Sequence, residues 1–289
     1  MQLGLVGLGR MGGNMRDRLR VAGHQVVGFD RDPDRSDVGD LAGLAAALAP
    51  PRVVWLMVPA AVTGPVIDEL AGQLAAGDLV VDGGNSHFQD DAARAARLAE
   101  RQIGYLDVGV SGGVWGREQG YALMVGGEEQ HVQLCRPIFE ALKPAGEFGY
   151  VHAGGVGAGH YAKMVHNGVE YGLMQAYAEG YELLARSELV TDVPGVVRSW
   201  RDGSVVRSWL LDLLDRALAE DPELASVRGW VADTGEGRWT VDEAVRLAVP
   251  LPAITAALYA RFASRQDDAP AMKAVAALRE QFGGHAVRR

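Results

Sequence analysis

The chain has 289 residues, 48% of them hydrophobic and 22% charged, enough for two domains of about 100 to 200 residues with a sizeable core. A net charge of -9 argues against nucleic-acid binding, which wants clustered Lys and Arg. A single cysteine, Cys135, excludes an intramolecular disulfide and a cysteine-based zinc cluster, and is expected to be a small buried or partly buried apolar residue. The apolar stretch over residues 41–62 is broken by Pro50, Pro51, Arg52 and Pro59. No membrane span is therefore expected, nor a signal peptide, since a strand begins almost at once at Leu3, and the expected compartment is the cytoplasm.

In chain order, residues 2–8 read as a strand running into Gly7-Leu8-Gly9-Arg10-Met11-Gly12, followed by a helix over 14–22. The three glycines have the GxGxxG spacing: a tight turn, close approach to a pyrophosphate, and close helix–strand packing. By itself such a run is only a glycine turn, but a second strand over 25–29 ends in Asp30. An acid about 20 residues beyond the first glycine is where adenosine ribose hydroxyls are held. Asp30-Arg31-Asp32 also bears on cofactor choice. The carboxylates repel a 2′-phosphate and favour NAD, whereas Arg31 would pair with that phosphate and keeps NADP open. Asp32, followed by Pro33, also reads as a turn starter.

Further strands over 52–58 and 79–82 alternate with helices over 62–74 and 91–102, the punctuation of a parallel sheet. Ligands gather at the carboxyl ends of such strands. This singles out Val58-Pro59-Ala60 for the cofactor and Asn85, in Gly83-Gly84-Asn85-Ser86, for a nicotinamide ribose or a substrate hydroxyl. The strand from Tyr105 runs into Ser111-Gly112-Gly113, whose backbone N–H groups suit a small anion-receiving nest. A strand over 121–125 and the residues to Gly149 complete the expected first domain. The expected fold is an α/β Rossmann-type N-terminal domain over residues 1–155 and an all-α C-terminal domain over 156–289.

The second half opens on a long periodic segment from Gly157, with further helical stretches over 208–218 and 241–248. Within it, Lys163-Met-Val-His-Asn-Gly-Val-Glu-Tyr171 puts an amine, an imidazole, an amide and a carboxylate at helical spacing. Lys163, His166, Asn167 and Glu170 share one face, and Tyr171 stands four beyond Asn167. Such a face is either solvated or an active-site wall.

Together these motifs resemble the 6-phosphogluconate dehydrogenases. The resemblance rests on Gly7-Leu-Gly-Arg-Met-Gly12, Leu56-Met-Val58, Asp82-Gly-Gly-Asn-Ser86, Val110-Ser-Gly-Gly113, the Lys163–Tyr171 run, Gly235-Glu-Gly-Arg-Trp-Thr240 and Phe282-Gly-Gly-His285. It spans nearly the whole chain, and its most specific element is the lysine-to-tyrosine run. The resemblance implies oxidative decarboxylation of 6-phosphogluconate, with Lys163 as base and Glu170 as the later acid. It also implies that Asn85, Ser111, Gly112, Gly113, His166 and Asn167 hold the sugar acid. Tyr171, Arg238, Arg261, Arg279 and His285 are implied for the phosphate end, with Arg265 an alternative to Arg261. Arg238, in a stretch expected to be a loop, stands where the family usually has lysine.

The resemblance further implies a homo-oligomer, dimer or tetramer, whose tail reaches a neighbour's site, and a short form with one helical unit. Two other readings remain: a β-hydroxyacid dehydrogenase for a nonphosphorylated acid such as 3-hydroxyisobutyrate, and a dinucleotide-binding protein without catalysis.

Overall fold

Short apolar runs build one seven-stranded sheet: β1 (Gln2–Val6), β2 (Gln25–Phe29), β3 (Val53–Leu56), β4 (Leu79–Asp82), β5 (Gly104–Ser111), β6 (Ala122–Gly127) and β7 (Tyr150–Gly154). They are seen in a computed structural model that describes residues 1–283 and 286. The strand order is β2-β1-β3-β4-β5-β6-β7. Strands β1 to β5 run parallel, β6 is antiparallel to β5, and β7 is parallel to β6. The chain leaves β1 to one side for β2 and returns to the other for β3. This reversal is the switch point where open α/β sheets bind ligands.

Side chains alternate across each strand, and both faces are buried. Leu3, Leu5, Val53, Trp55, Leu79 and Val81 enter one core, which also takes Cys135. Val6, Val54, Leu56 and Val80 enter the other. The sheet is crossed by α1 (Arg10–Val21), α2 (Leu41–Ala46), α3 (Ala60–Ala71), α4 (Asp91–Ala99), the short α5 (Gly116–Gln119) and α6 (Glu129–Leu142). Burial pushes the Cys135 thiol up to about 12, as the expected apolar role requires.

Beyond the sheet come α7 (Ala158–Arg186), α8 (Val193–Ser199), α9 (Trp209–Glu220), α10 (Glu236–Leu247), α11 (Pro252–Ala263) and α12 (Pro270–Gly283). Two compact units result, Met1–His166 and Asn167–Arg289. The second has its own small cores: Tyr171 with Ala257 and Leu258, and Val197 with Leu211 and Leu218. Ser208 caps α9 by accepting from the Leu211 N–H. Among the described residues no helix is long and apolar enough to cross a membrane.

Three local expectations change. Helix α1 begins at Arg10 rather than residue 14, because Gly9 ends the turn and the glycines at 12 and 13, poor helix formers, are carried by packing against the turn. Helix α6 and strand β7 occupy residues the sequence reading had assigned to no element. The stretch from Gly235 to Thr240 is not a loop: Gly235 is the N-cap of α10, and the Thr240 hydroxyl donates to the Glu236 carbonyl one turn back.

Candidate active site

At the switch point, Gly7 adopts φ +90 and a methyl group there would meet the Met57 carbonyl oxygen at 2.6 Å. A methyl on Gly12 would overlap the Gly7 carbonyl, so helix and turn touch backbone to backbone. Above Gly9 a methyl would meet nothing within 4 Å, and among the described residues no side chain caps α1. The amides of its first turn, at Arg10 and Met11, are thus left for an incoming group. That cradle fits a diphosphate.

Leu8 N–H donates to Asp30 Oδ2 at 2.5 Å and Asp32 N–H donates to Oδ1 at 2.9 Å, tying the end of β2 to the glycine turn. Beside it lies a cavity of about 420 Å³ lined by Asp30, Arg31, Ser36 and Val38 among others. Its size suits an adenosine. Asp32 is engaged locally, accepting from the Asp34 N–H and pairing with Arg35 at 2.9 Å. Val58, Pro59 and Ala60 lead from β3 into α3, with Pro59 at its N-cap.

The ends of β4 and β5 and the start of α7 carry further polar groups of the first unit. Asn85 is exposed in the turn after β4. Ser111 ends β5, and its Oγ lies 3.3 Å from His166 Nε2 on α7. Gly112 and Gly113, which follow, are exposed. Lys163 is half-buried, one turn before His166, and its stem lies on Gly109 of β5: a methyl there would overlap the Lys163 Cβ.

In the second unit, Tyr171 is 6% exposed, and its hydroxyl finds no partner among the described residues. The Arg261 guanidinium stacks 3.4 Å from the centre of the Tyr171 ring and donates to the Ala232 carbonyl at 3.3 Å. Arg238 forks onto Asp233 through two bonds of 3.0 Å, and Arg265 reaches the same carboxylate at 3.2 Å. Arg238 and Arg265 both lie over the Phe262 ring, at 4.6 and 5.3 Å. Arg238 and, behind it, burial and Gly235 set the Asp233 carboxyl, and the net effect is to hold it below the usual range. Arg261 thus lies on Tyr171, and Arg265 shares Asp233 with Arg238. Asn167 and Glu170 on α7 are half-buried; Arg279 is exposed on α12, and His285 lies outside the described residues.

Asp233 was not anticipated, nor was a buried network of Asp82, Asp91, Arg94, Tyr105, Asp107 and His160. Asp91 and His160 are 69 positions apart and meet at 2.8 Å. The available signal was a charged residue in an apolar strand, as at Asp82, which ends β4, and Asp107, inside β5.

A glycine turn at a parallel sheet's switch point, with an acid at the end of β2, defines a dinucleotide-binding protein of the Rossmann type. Residues 2–149 match the NAD binding domain of 6-phosphogluconate dehydrogenase, and residues 159–288 match the 6-phosphogluconate dehydrogenase C-terminal domain. The chain belongs to the 6-phosphogluconate dehydrogenase family. An NAD(+)-dependent, decarboxylating 6-phosphogluconate dehydrogenase of Haloferax volcanii is 44% identical over 100% of this chain and 99% of its own. The decarboxylating enzyme of Escherichia coli is 33% identical over 92% of this chain, a match spanning 62% of that longer protein. The solved 6-phosphogluconate dehydrogenase of Plasmodium falciparum superposes with a TM-score of 0.85 at 26% identity, covering 100% of this chain and 66% of that one. A Mycobacterium tuberculosis 3-hydroxyisobutyrate dehydrogenase gives 0.69 at 25% identity, covering 92% and 95%.

Proposed function

We propose that the chain oxidises and decarboxylates 6-phosphogluconate to ribulose 5-phosphate and carbon dioxide, with NAD favoured over NADP. The observation that carries the substrate is the cluster around Tyr171. Three arginines and an orphaned buried hydroxyl suit a phosphate, which a nonphosphorylated acid such as 3-hydroxyisobutyrate lacks. The full-length likeness to the NAD(+)-dependent Haloferax protein supports both the reaction and the cofactor.

Within this reading, the bound dinucleotide supplies the hydride acceptor. Lys163, entering the reaction neutral, takes the C3 hydroxyl proton as the hydride leaves C3. As an ammonium it then donates a hydrogen bond to the new C3 carbonyl. That bond stabilises the negative charge that builds on the oxygen as carbon dioxide departs. Glu170, holding a proton at this stage, delivers it to the enediolate carbon that becomes C1 of ribulose 5-phosphate, and the oxygen held by Lys163 becomes the product's C2 ketone. Asn85, Ser111, Gly112, Gly113, His166 and Asn167 orient the sugar acid, and Tyr171, Arg238 and Arg261 hold its phosphate. Gly7 to Gly12, Asp30, Arg31 and the turn from Val58 to Ala60 serve the dinucleotide. Retention of the Lys163 and Glu170 pair favours an enzyme over a binding protein, since binding alone needs neither.

The proposal includes residues 156–289 as a substrate and assembly domain, a cytoplasmic setting, and a homo-oligomer in which Arg279 and His285 serve a neighbouring subunit. Exposed Val165, Val169 and Leu173 at four-residue spacing on α7 support the assembly.

Incubation with 6-phosphogluconate and either dinucleotide, following reduced nicotinamide and released carbon dioxide, tests the function. Both should appear in equal amounts, faster with NAD. Reduction without carbon dioxide, or preference for 3-hydroxyisobutyrate, would sink it.

A further inference from the structure

The helix that carries Lys163 starts directly on the sheet. Gly159, in its first turn, would drive a methyl group to 2.5 Å from the Asp107 carbonyl oxygen and 2.8 Å from the Gly126 nitrogen. Contact this close fixes the height of α7 above the strands but leaves its rotation to other forces. One residue of rotation is 100°, so a small error there aims Lys163 elsewhere.

Side chains from three other elements set that rotation. Asp107 of β5 accepts from the Gly157 N–H at 2.7 Å through one carboxylate oxygen and from the His160 N–H at 2.9 Å through the other. It thereby places an anion at the positive end of α7. His160 Nδ1 meets Asp91 Oδ2 of α4 at 2.8 Å. The other Asp91 oxygen accepts from the Tyr105 hydroxyl at 2.8 Å, and that hydroxyl lies 3.3 Å from Asp82 Oδ2. Asp82, closing β4, accepts from Ser86 Oγ at 2.8 Å and from the Gly84 N–H at 3.1 Å, on either side of Asn85. Arg94 stands 3.3 Å from Asp82 and 3.5 Å from Asp91. None of Asp82, Asp91, Arg94, Asp107 and His160 is more than 5% exposed.

Asp82, Asp91 and His160 bring ligand-type atoms within 4.8 Å of one another, yet the Arg94 guanidinium already supplies the positive charge such a trio would seek in a metal. The cluster is a buried ion network: Arg94 and His160 against Asp82, Asp91 and Asp107. Burial opposes charge on His160, but Asp91, Asp82 and Asp107 overcome it and push the imidazole up to about 9. Burial pushes the Asp107 carboxyl up, against His160 and its two backbone donors.

We propose that His160 is a positioning residue for Lys163, locking the first turn of α7 to the strand ends so that Lys163 and the Asn85 turn hold a fixed mutual geometry. A buried ion network adds little stability over apolar packing of the same shape. What it adds here is orientation: His160 is three residues before Lys163, and the link from Asp91, braced by the Tyr105 hydroxyl, through the Arg94 guanidinium to Asp82 ends at the turn that carries Asn85. The inference rests on the reading of Lys163 as the base.

His160 Nε2 has no partner among the described residues, so Nδ1 is the anchor and a side chain with one donor at that place should stand in for it. His160→Leu, His160→Asn and Tyr105→Phe are compared with the wild type by kcat, KM for each substrate, Tm, and amide hydrogen exchange over residues 83–87 and 158–163. The leucine variant should lose about 100-fold in kcat, with KM for NAD changed less than about twofold, since a displacement near 1 Å has that effect. The asparagine variant, keeping the donor, should regain about tenfold of that loss. Exchange should quicken in both segments of the leucine variant.

A leucine variant that folds and keeps kcat within about threefold would overturn the proposal, as would an asparagine variant no more active than leucine. If leucine prevents folding, Tyr105→Phe decides: kcat falling about fivefold with faster exchange over 83–87 supports the link, and unchanged kcat overturns it. A wild type inactive on 6-phosphogluconate would instead refute the proposed function. In that case exchange alone decides, and unaltered exchange over both segments in the His160 variants would refute the coupling.

Discussion

Lys163 and Glu170 stand seven residues apart on α7, two turns of one helix, and their proposed roles separate in time. Lys163→Met should lower kcat by about 1000-fold or more, because it removes the proposed general base. Glu170→Gln should still give a first burst of reduced nicotinamide in rapid mixing, followed by steady turnover slowed about 100-fold. A lysine variant with substantial turnover would remove the base from the scheme. Tyr171 offers a different kind of prediction. Its buried hydroxyl has no partner among the described residues, so Tyr171→Phe should leave Tm unchanged or raise stability by about 1 kcal/mol, the cost of an unmet donor. The same change should raise KM for 6-phosphogluconate about tenfold, the loss of one hydrogen bond to a charged group. The lysine-to-tyrosine run was legible in the sequence because helical spacing alone groups its members. Asp233 was not, since its value lies in holding Arg238 and Arg265 from five and thirty-two positions away, and Asp91 and His160 are joined only by the fold.

At the scale of elements, legibility followed locality. The glycine turn, the first two strands and the alternation through β4 could be read because apolar runs and turn residues mark them. Strand β7 could not, because its exposed Val151 and half-buried Tyr150 and His152 break the apolar signature of an edge strand. The start of α10 was masked by glycines at 235 and 237, which read as loop until Gly237 is seen packed on the Tyr171 ring. Direct seating of α7 on β5 gives a test of element packing. Gly109→Ala sets a methyl against the Lys163 stem and 2.8 Å from the Gly159 carbonyl oxygen. It should cost about 3 kcal/mol in denaturant unfolding, the upper range for overpacking, and reduce kcat more than it alters KM for the dinucleotide. At the other end of the sheet, Asp30→Ala should change the ratio of activity with NAD to that with NADP. An unchanged ratio would refute the ribose assignment.

For the molecule as a whole, the His160 network couples stability to pH with a definite sign. A histidine raised from 6.5 to about 9 stabilises the fold fully below its unfolded value. That contribution, roughly 3 kcal/mol, is lost as pH climbs from about 6.5 through about 9. Thermal scans across that window should show Tm falling, and the fall should flatten in His160→Asn. Light scattering should return a multiple of the 30.8 kDa chain mass, whereas a monomer would remove the proposed assembly. Cys135 gives the protein a further property. It is the chain's one thiol, fully buried in the first unit's core with its ionisation suppressed, and so reacts with an alkylating reagent only when that unit opens. The rate of alkylation is then a clock for transient opening. Because a ligand that binds only the closed form slows that clock by a factor of one plus the ratio of its free concentration to Kd, dinucleotide at 100 times its Kd should slow labelling about 100-fold. Cofactor affinity thus becomes measurable with no turnover at all, by counting modified molecules in a mass spectrometer.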